Sequence, residues 1–146
     1  MKKFIFPLDT VLGYKERILD SKQGEHGKAI NAVKEQEEII VKLQKEFSEC
    51  NVKFRERSIH GLTAIEAIGF ESYMKFLGER IKKENDRLDE LKKFEELKRS
   101  EVVEAKMETS TIERLKEKKQ KEYSKLEQKS QELFIEEFVS NKMLSN

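Results

Sequence analysis

The sequence has no tryptophan, one proline and one cysteine in 146 residues. Each scarcity excludes something. A lone cysteine, Cys50, cannot close an intrachain disulfide, so no disulfide framework holds this fold and a reducing cytoplasm is its natural compartment. Only two histidines occur, His26 and His60, far apart in the chain. Together with Cys50 they make no metal-ligating set. Neither a GxxxxGK[ST] loop nor a GxGxxG turn is present, which removes the usual nucleotide cradles. Paired carboxylates such as Glu37-Glu38, Glu95-Glu96 and Glu136-Glu137 are neighbours in sequence, and neighbours on a helix point in different directions. They are poor acid–base partners, so the expected chain is not an enzyme and needs no cofactor. Apolar runs are short as well, and none approaches the ~20 residues of a membrane span. The opening Met1-Lys2-Lys3-Phe4-Ile5-Phe6-Pro7-Leu8 briefly resembles a secretory signal, but Asp9, Thr10 and Lys15 stop it and no small-residue cleavage site follows.

What is present is charge. Charged residues make up 40% of the chain and hydrophobic ones 36%, against roughly 25% and ~45–50% in ordinary domains. So little apolar material cannot fill a wide core, but it can fill one narrow seam between two helices. The net charge is +1. The two signs alternate, which describes a solvated helix surface and not the basic stripe of a nucleic-acid binder. Glu38 with Lys42, Glu49 with Lys53, Glu79 with Lys83, Glu95 with Arg99 and Glu117 with Lys121 all stand acid-first at i,i+4. Each such pair supports a helix by ~0.2–0.5 kcal/mol.

The periodicity gives the architecture: a single all-α domain, a long antiparallel two-helix coiled-coil hairpin. Pro7 stands where a first helical turn tolerates it. Leu12, Leu19, His26, Val33, Ile40, Phe47 and Phe54 recur at sevens, and a second row reads Leu8, Lys15, Lys22, Ala29, Gln36, Leu43, Cys50, Arg57. This predicts helix 1 over about 8–57, with Gly24 and Gly27 as a weak point costing about 1 kcal/mol each relative to alanine. Gly61, Gly69 and the capping-box pair Thr63 and Glu66 predict a turn and a short helical piece over 58–69. Helix 2 is expected over about 70–139, followed by a frayed tail over 140–146. Its seam reads Met74, Leu77, Ile81, Leu88, Leu91, Val102, Ala105, Ile112, Tyr123, Leu126, Leu133. Glu84, Glu95, Lys98, Lys116 and Lys119 interrupt it. Phe94, Leu97, Val103 and Met107 stand off register, which predicts that the seam drifts there. Helix 2 should outrun helix 1 by roughly 20 residues at 1.5 Å each, over about Lys119–Val139. The stretch Arg114–Lys129 is the most basic of the chain.

Three features exceed what a plain hairpin needs. Phe4 and Phe6 precede helix 1 and either fold back as a hydrophobic cap or anchor a partner. Leu43, Phe47, Phe54, Tyr73, Phe76 and Leu77 gather aromatics near the turn, in core or in a docking surface. Tyr123, Leu126, Leu133, Phe134 and Phe138 lie on the expected overhang, which is marginal in water as a lone helix. His26 and Cys50 are expected as seam residues, His26 as a tolerated or modestly pH-sensitive one.

Together these segments resemble the flagellar type III export protein FliJ family. The run Phe4-Ile5-Phe6-Pro7-Leu8-Asp9-Thr10-Val11-Leu12 is similar to the family's opening. The block Glu113–Tyr123 resembles its charged C-terminal block, and Glu127-Gln128-Lys129 with Glu136-Glu137 resembles its closing stretch. The resemblance implies a hairpin like the stalk of rotary ATPases and a non-enzymatic stalk or adaptor role in flagellar type III export. It implies binding of a hexameric export ATPase, FliI, through Phe4, Phe6, Leu8, Leu12, Arg114, Lys118, Lys119, Tyr123 and Leu126. It implies contact with the cytoplasmic domain of the export gate protein FlhA, carried by position onto Gln36, Ile40, Leu43, Phe47 and Phe76. Export chaperones are further implied partners. The implied location is cytoplasmic, at the inner face of the membrane through the export apparatus. Two rival readings are a prefoldin-like chaperone arm and a structural coiled-coil spacer. The first would need a strand-forming centre, and Ser58–Ser72 offers no clear β-hairpin.

Overall fold

The fold was obtained as a computed structural model that describes residues 2–145, and its only regular elements there are two helices: α1 over Asp9–His60 and α2 over Ala64–Leu144. Their 52 and 81 residues exceed the sequence-based spans. Helix α1 persists through Ser58, Ile59 and His60, and only Gly61–Thr63 intervene. Gly61 adopts φ 99°, the left-handed conformation in which glycine ends helices without a Cβ penalty. Thr63 then caps α2: its Oγ1 accepts a hydrogen bond from the Glu66 N–H at 3.1 Å. The Glu66 carboxylate does not complete the capping box by reaching back. It accepts from Arg57 across the turn at 2.6 Å instead, because a guanidinium is the stronger donor. The expected short helical piece after the turn is the first part of α2, and Gly69 lies inside that helix. At the other end α2 continues through the segment expected to fray and stops at Leu144. Pro7 lies in the turn just before α1. Asp9 opens α1 and suits the positive end of the helix dipole.

Two compact units are distinguished. One comprises Lys22–Val102 and carries the turn; the other comprises Met1–Ser21 with Val103–Asn146. In each, α1 and α2 pack antiparallel along one stripe per helix.

In the turn-bearing unit the buried residues are Ala29, Gln36, Ile40, Leu43 and Cys50 of α1 with Leu77 of α2. Phe54 and Phe70 meet near the turn with ring centroids 5.6 Å apart. Along α2, the covered positions Phe70, Met74, Leu77, Ile81, Glu84, Leu88, Leu91, Glu95 and Lys98 keep strict four–three spacing. The register does not drift. The charged positions hold the seam, while Phe94 and Leu97 are exposed, as are Val103 and Met107 in the other unit. The reason is pairing across the seam. The Gln36 amide donates to the Glu84 backbone carbonyl at 3.0 Å and to its carboxylate as well. His26 Nε2 meets the Glu95 carboxylate at 2.8 Å. Long side chains of this kind cover the stripe with their stems while their charged ends find partners.

In the terminal unit the core is thin: Phe6, Leu12, Ala105 and Thr109 are buried. The Thr109 hydroxyl donates to its own helix at Ala105, 2.8 Å away, and lies 3.4 Å from the Lys15 carbonyl. Lys15 pairs with Glu108 at 2.8 Å, and Asp9 with Lys116 at 2.8 Å. Residues before α1 fold back on α2, where Phe4 meets Tyr123 with centroids 5.5 Å apart.

Candidate functional site

The terminal unit holds all nine residues that the family resemblance points to for ATPase binding, in two different states. Phe6 is only 4% exposed and Leu12 is also buried. Phe4 is half-buried against Tyr123. Phe6 therefore acts as the hydrophobic cap, with Pro7 fixing the chain direction into α1. The cap leaves a shallow pocket lined by Phe4, Phe6, Leu8, Leu115, Tyr123 and Leu126. Leu8, Leu126, Arg114, Lys118 and Lys119 stay exposed.

Beyond the cap, α2 is alone. Every residue from Gln128 to Leu144 is exposed. The overhang thus begins later than expected, since the cap covers α2 as far as Tyr123. Its chemistry differs too. The basic block Arg114–Lys129 lies largely beside the cap and the start of α1, and the free part carries Glu132, Glu136 and Glu137 among large apolar side chains. Leu133, Phe134, Ile135, Phe138, Val139, Met143 and Leu144 are all exposed, Phe134 by 71%. Consecutive residues are about 100° apart around a helix, so Leu133, Phe134 and Ile135 already span some 200°. Phe138 extends the Phe134 row, and Val139 and Met143 extend the Ile135 row. Large apolar side chains thus stand on several sides of the helix, interspersed with Glu132, Glu136, Glu137 and Lys142. Sequence reading singled out Leu133, Phe134 and Phe138 but missed Ile135, Val139 and Met143. The Ile-Val-Met row at i,i+4 was the available signal.

The five residues assigned to the export gate do not form one surface. Gln36 (4% exposed), Ile40 and Leu43 are buried in the seam of the turn-bearing unit. They cannot meet a partner while the helices are paired, and the physical reason is the same heptad that predicted them as seam. Phe47 is half-buried. Phe76 is 55% exposed and stacks on Tyr73 at 6.4 Å. Cys50, a seam residue as expected, lies beside a groove with Glu46, Lys53, Phe70 and Tyr73. Three isoleucines flanking the turn, Ile59, Ile65 and Ile68, are also exposed and were not singled out by sequence.

The charged seam sets the local electrostatics. The His26 hydrogen bond, and then that of Arg99 at 2.8 Å, hold the Glu95 carboxyl below its ordinary 4.5. Lys98, then Lys22, do the same for Glu101. Hydrogen bonds to Glu101 and Glu25 raise Lys98 above 10.5, and Glu108 raises Lys15. A carboxyl depressed on folding adds stability above its unfolded pKa and loses it as pH falls through the folded value. The two raised lysines add stability below 10.5 and lose it only as pH rises through their folded values. The helix pair should thus be pH-insensitive, as far as these groups go, between about 5 and 10 and weaken below 4.5. Urea unfolding at a series of acidic pH values checks this. Glu95→Gln with Glu101→Gln should flatten the acid limb.

Among the described residues, no group of three or more histidine, cysteine, aspartate or glutamate side chains is placed to hold a metal ion, and no helix is long and apolar enough to cross a membrane. Comparison with curated proteins and with solved structures finds no significant match. The comparison with protein families does: residues 3–146 match the family described as Flagellar FliJ protein. Nearly the whole chain is covered, and membership of this family implies a role in flagellar export: the chain belongs to the flagellar FliJ family.

Proposed function

We propose that this chain is a non-enzymatic stalk of the flagellar export apparatus that engages the hexameric export ATPase with its terminal unit. One observation carries the reading: the free part of α2, Gln128–Leu144, carries seven exposed large apolar side chains on several sides of the helix. A helix whose apolar residues form one stripe lies against a flat surface, whereas apolar residues on several sides are all covered only where a cavity encloses the helix. The central hole of a hexamer is such a cavity. Around the entry, Lys118 and Lys119, with Arg114, supply exposed positive charge for the ring's rim, and Leu8 and Leu126 supply apolar contact. The bound state would locate the protein in the cytoplasm beneath the membrane. Contact with the gate would use Phe76 and its stacked neighbour Tyr73, since Gln36, Ile40 and Leu43 are core. Export chaperones would be further partners.

The test is ATP turnover by the purified export ATPase with and without this chain. The full chain should stimulate it. Leu133→Glu with Phe138→Glu, which puts carboxylates on two of the three apolar rows, should remove the stimulation. Stimulation at the full level by that variant would contradict the reading.

A further inference from the structure

The seam of the turn-bearing unit changes character along its length. Toward the turn it is apolar, with Ile40, Leu43, Cys50 and Leu77 buried. Away from the turn, no residue of 22–28 or of 92–102 is buried. Charged groups stand at the core positions instead. Lys22 reaches Glu101 at 3.3 Å and Glu25 at 3.7 Å. Lys98 reaches both Glu25 and Glu101 at 3.2 Å. His26 and Arg99 both hold Glu95 at 2.8 Å. Three of these six bonds tie α1 to α2, and the other three hold the charged ends in place along one helix.

A second, independent feature lies in the same turns of α1. Gly24 and Gly27 flank His26, and a Cβ built on either would meet nothing within 4 Å. Packing therefore does not demand glycine at these sites. What glycine does there is weaken the helix, because it gives the unfolded chain more freedom to recover. A weak helix and a seam without buried apolar side chains coincide.

We propose that Lys22–His26 with Glu95–Glu101 form an electrostatic latch, a stretch of the helix pair that opens and recloses on its own while the apolar seam toward the turn stays shut. Ion pairs exchange readily with water and with other charges, whereas buried leucines do not. Screening supplies the handle on the latch: the range of these interactions falls from ~10 Å at 0.1 M salt to ~3 Å at 1 M.

Hydrogen exchange read by mass spectrometry on the full chain tests the latch. Amides of 22–28 and 95–102 should exchange at least about tenfold faster than those of 36–50 and 74–88, a span ordinary for local opening. The gap should widen between about 0.1 M and 1 M sodium chloride. His26→Leu with Glu95→Leu, which makes one layer apolar and leaves the Lys22–Glu101 and Lys98–Glu25 pairs in place, should narrow the gap and reduce its salt dependence. Gly24→Ala with Gly27→Ala leaves every ion pair in place and should narrow the gap without removing the salt dependence. Equal protection in the two stretches, or a gap that neither salt nor the leucine pair alters, would overturn the proposal.

Discussion

A chain ending at Glu127 is expected to lose all stimulation of the export ATPase and to keep its helix pair. The cut leaves intact every cross-helix contact described in the terminal unit, including Asp9 with Lys116 and Phe4 with Tyr123. It removes only residues that are exposed along their whole described length. Because those residues bury nothing, the urea midpoint of the remainder should move little, within about 0.5 kcal/mol in stability. Helical ellipticity should fall roughly in proportion to the residues removed, since the segment is helical as an extension of a folded helix and not on its own. The loss of stimulation with unchanged stability separates a docking element from a structural one. If the shortened chain also unfolds more easily, the overhang packs somewhere in the free protein and the stalk reading loses its support.

The largest stability effect is expected at Leu77. It is 2% exposed, the most buried side chain of the fold, and it lies in the apolar part of the seam. Leu77→Ala should cost about 2–5 kcal/mol, the transfer term plus the cavity left behind. The upper end applies where the surroundings cannot collapse, and two rigid helices joined by one stripe have little to collapse with. Leu97→Ala makes the contrast. Leu97 is 55% exposed although a strongly apolar residue, so its removal should change stability by no more than about 0.5 kcal/mol. Urea unfolding of both variants under one set of conditions gives the comparison. Similar losses at the two positions would mean that the seam shifts toward Leu97.

That contrast is also where sequence and structure part. The heptad rows of α1 from Leu12 to Phe54 were legible because their residues fall on two rows at sevens and most are apolar. The turn was legible through Gly61 and through Thr63 with Glu66, whose side chains and backbone freedom do local work. Val102, Ala105, Ile112 and Tyr123 are covered as expected, but at Glu84, Glu95 and Lys98 the reading equated charge with interruption, and at Phe94, Leu97, Val103 and Met107 apolarity with burial. A two-helix seam offers each core position one facing layer. Glu84, Glu95 and Lys98 could stay in that layer because Gln36, His26 and Glu25 stood opposite. Phe94 and Leu97 could stay outside because exposed apolar residues are ordinary on protein surfaces. Nothing in one helix's sequence specifies its partner's residues at each layer, and the register had to be known first.

The functional residues divide the same way. Phe6 could not be assigned to cap or to anchor from sequence, since a coil has no period to read. The structure assigns it to the cap. The gate set came from a family correspondence of positions, and three of its members, Gln36, Ile40 and Leu43, fall in the core. The overhang was legible as a length mismatch between the helices, but its character was not. The basic block drew the reading toward Arg114–Lys129, whereas the unpartnered stretch is the one that follows, with exposed Leu133, Phe134, Ile135, Phe138, Val139, Met143 and Leu144.

The central claim is that the ATPase encloses the free part of α2, and site-specific thiol labelling tests it most directly. In a Cys50→Ser background, Phe134→Cys should react quickly in the free chain and slowly once the ATPase hexamer is added. Val41→Cys, exposed in the turn-bearing unit, should react at the same rate in both. Labelling of Phe134→Cys at an unchanged rate in a complex that has formed would contradict the account.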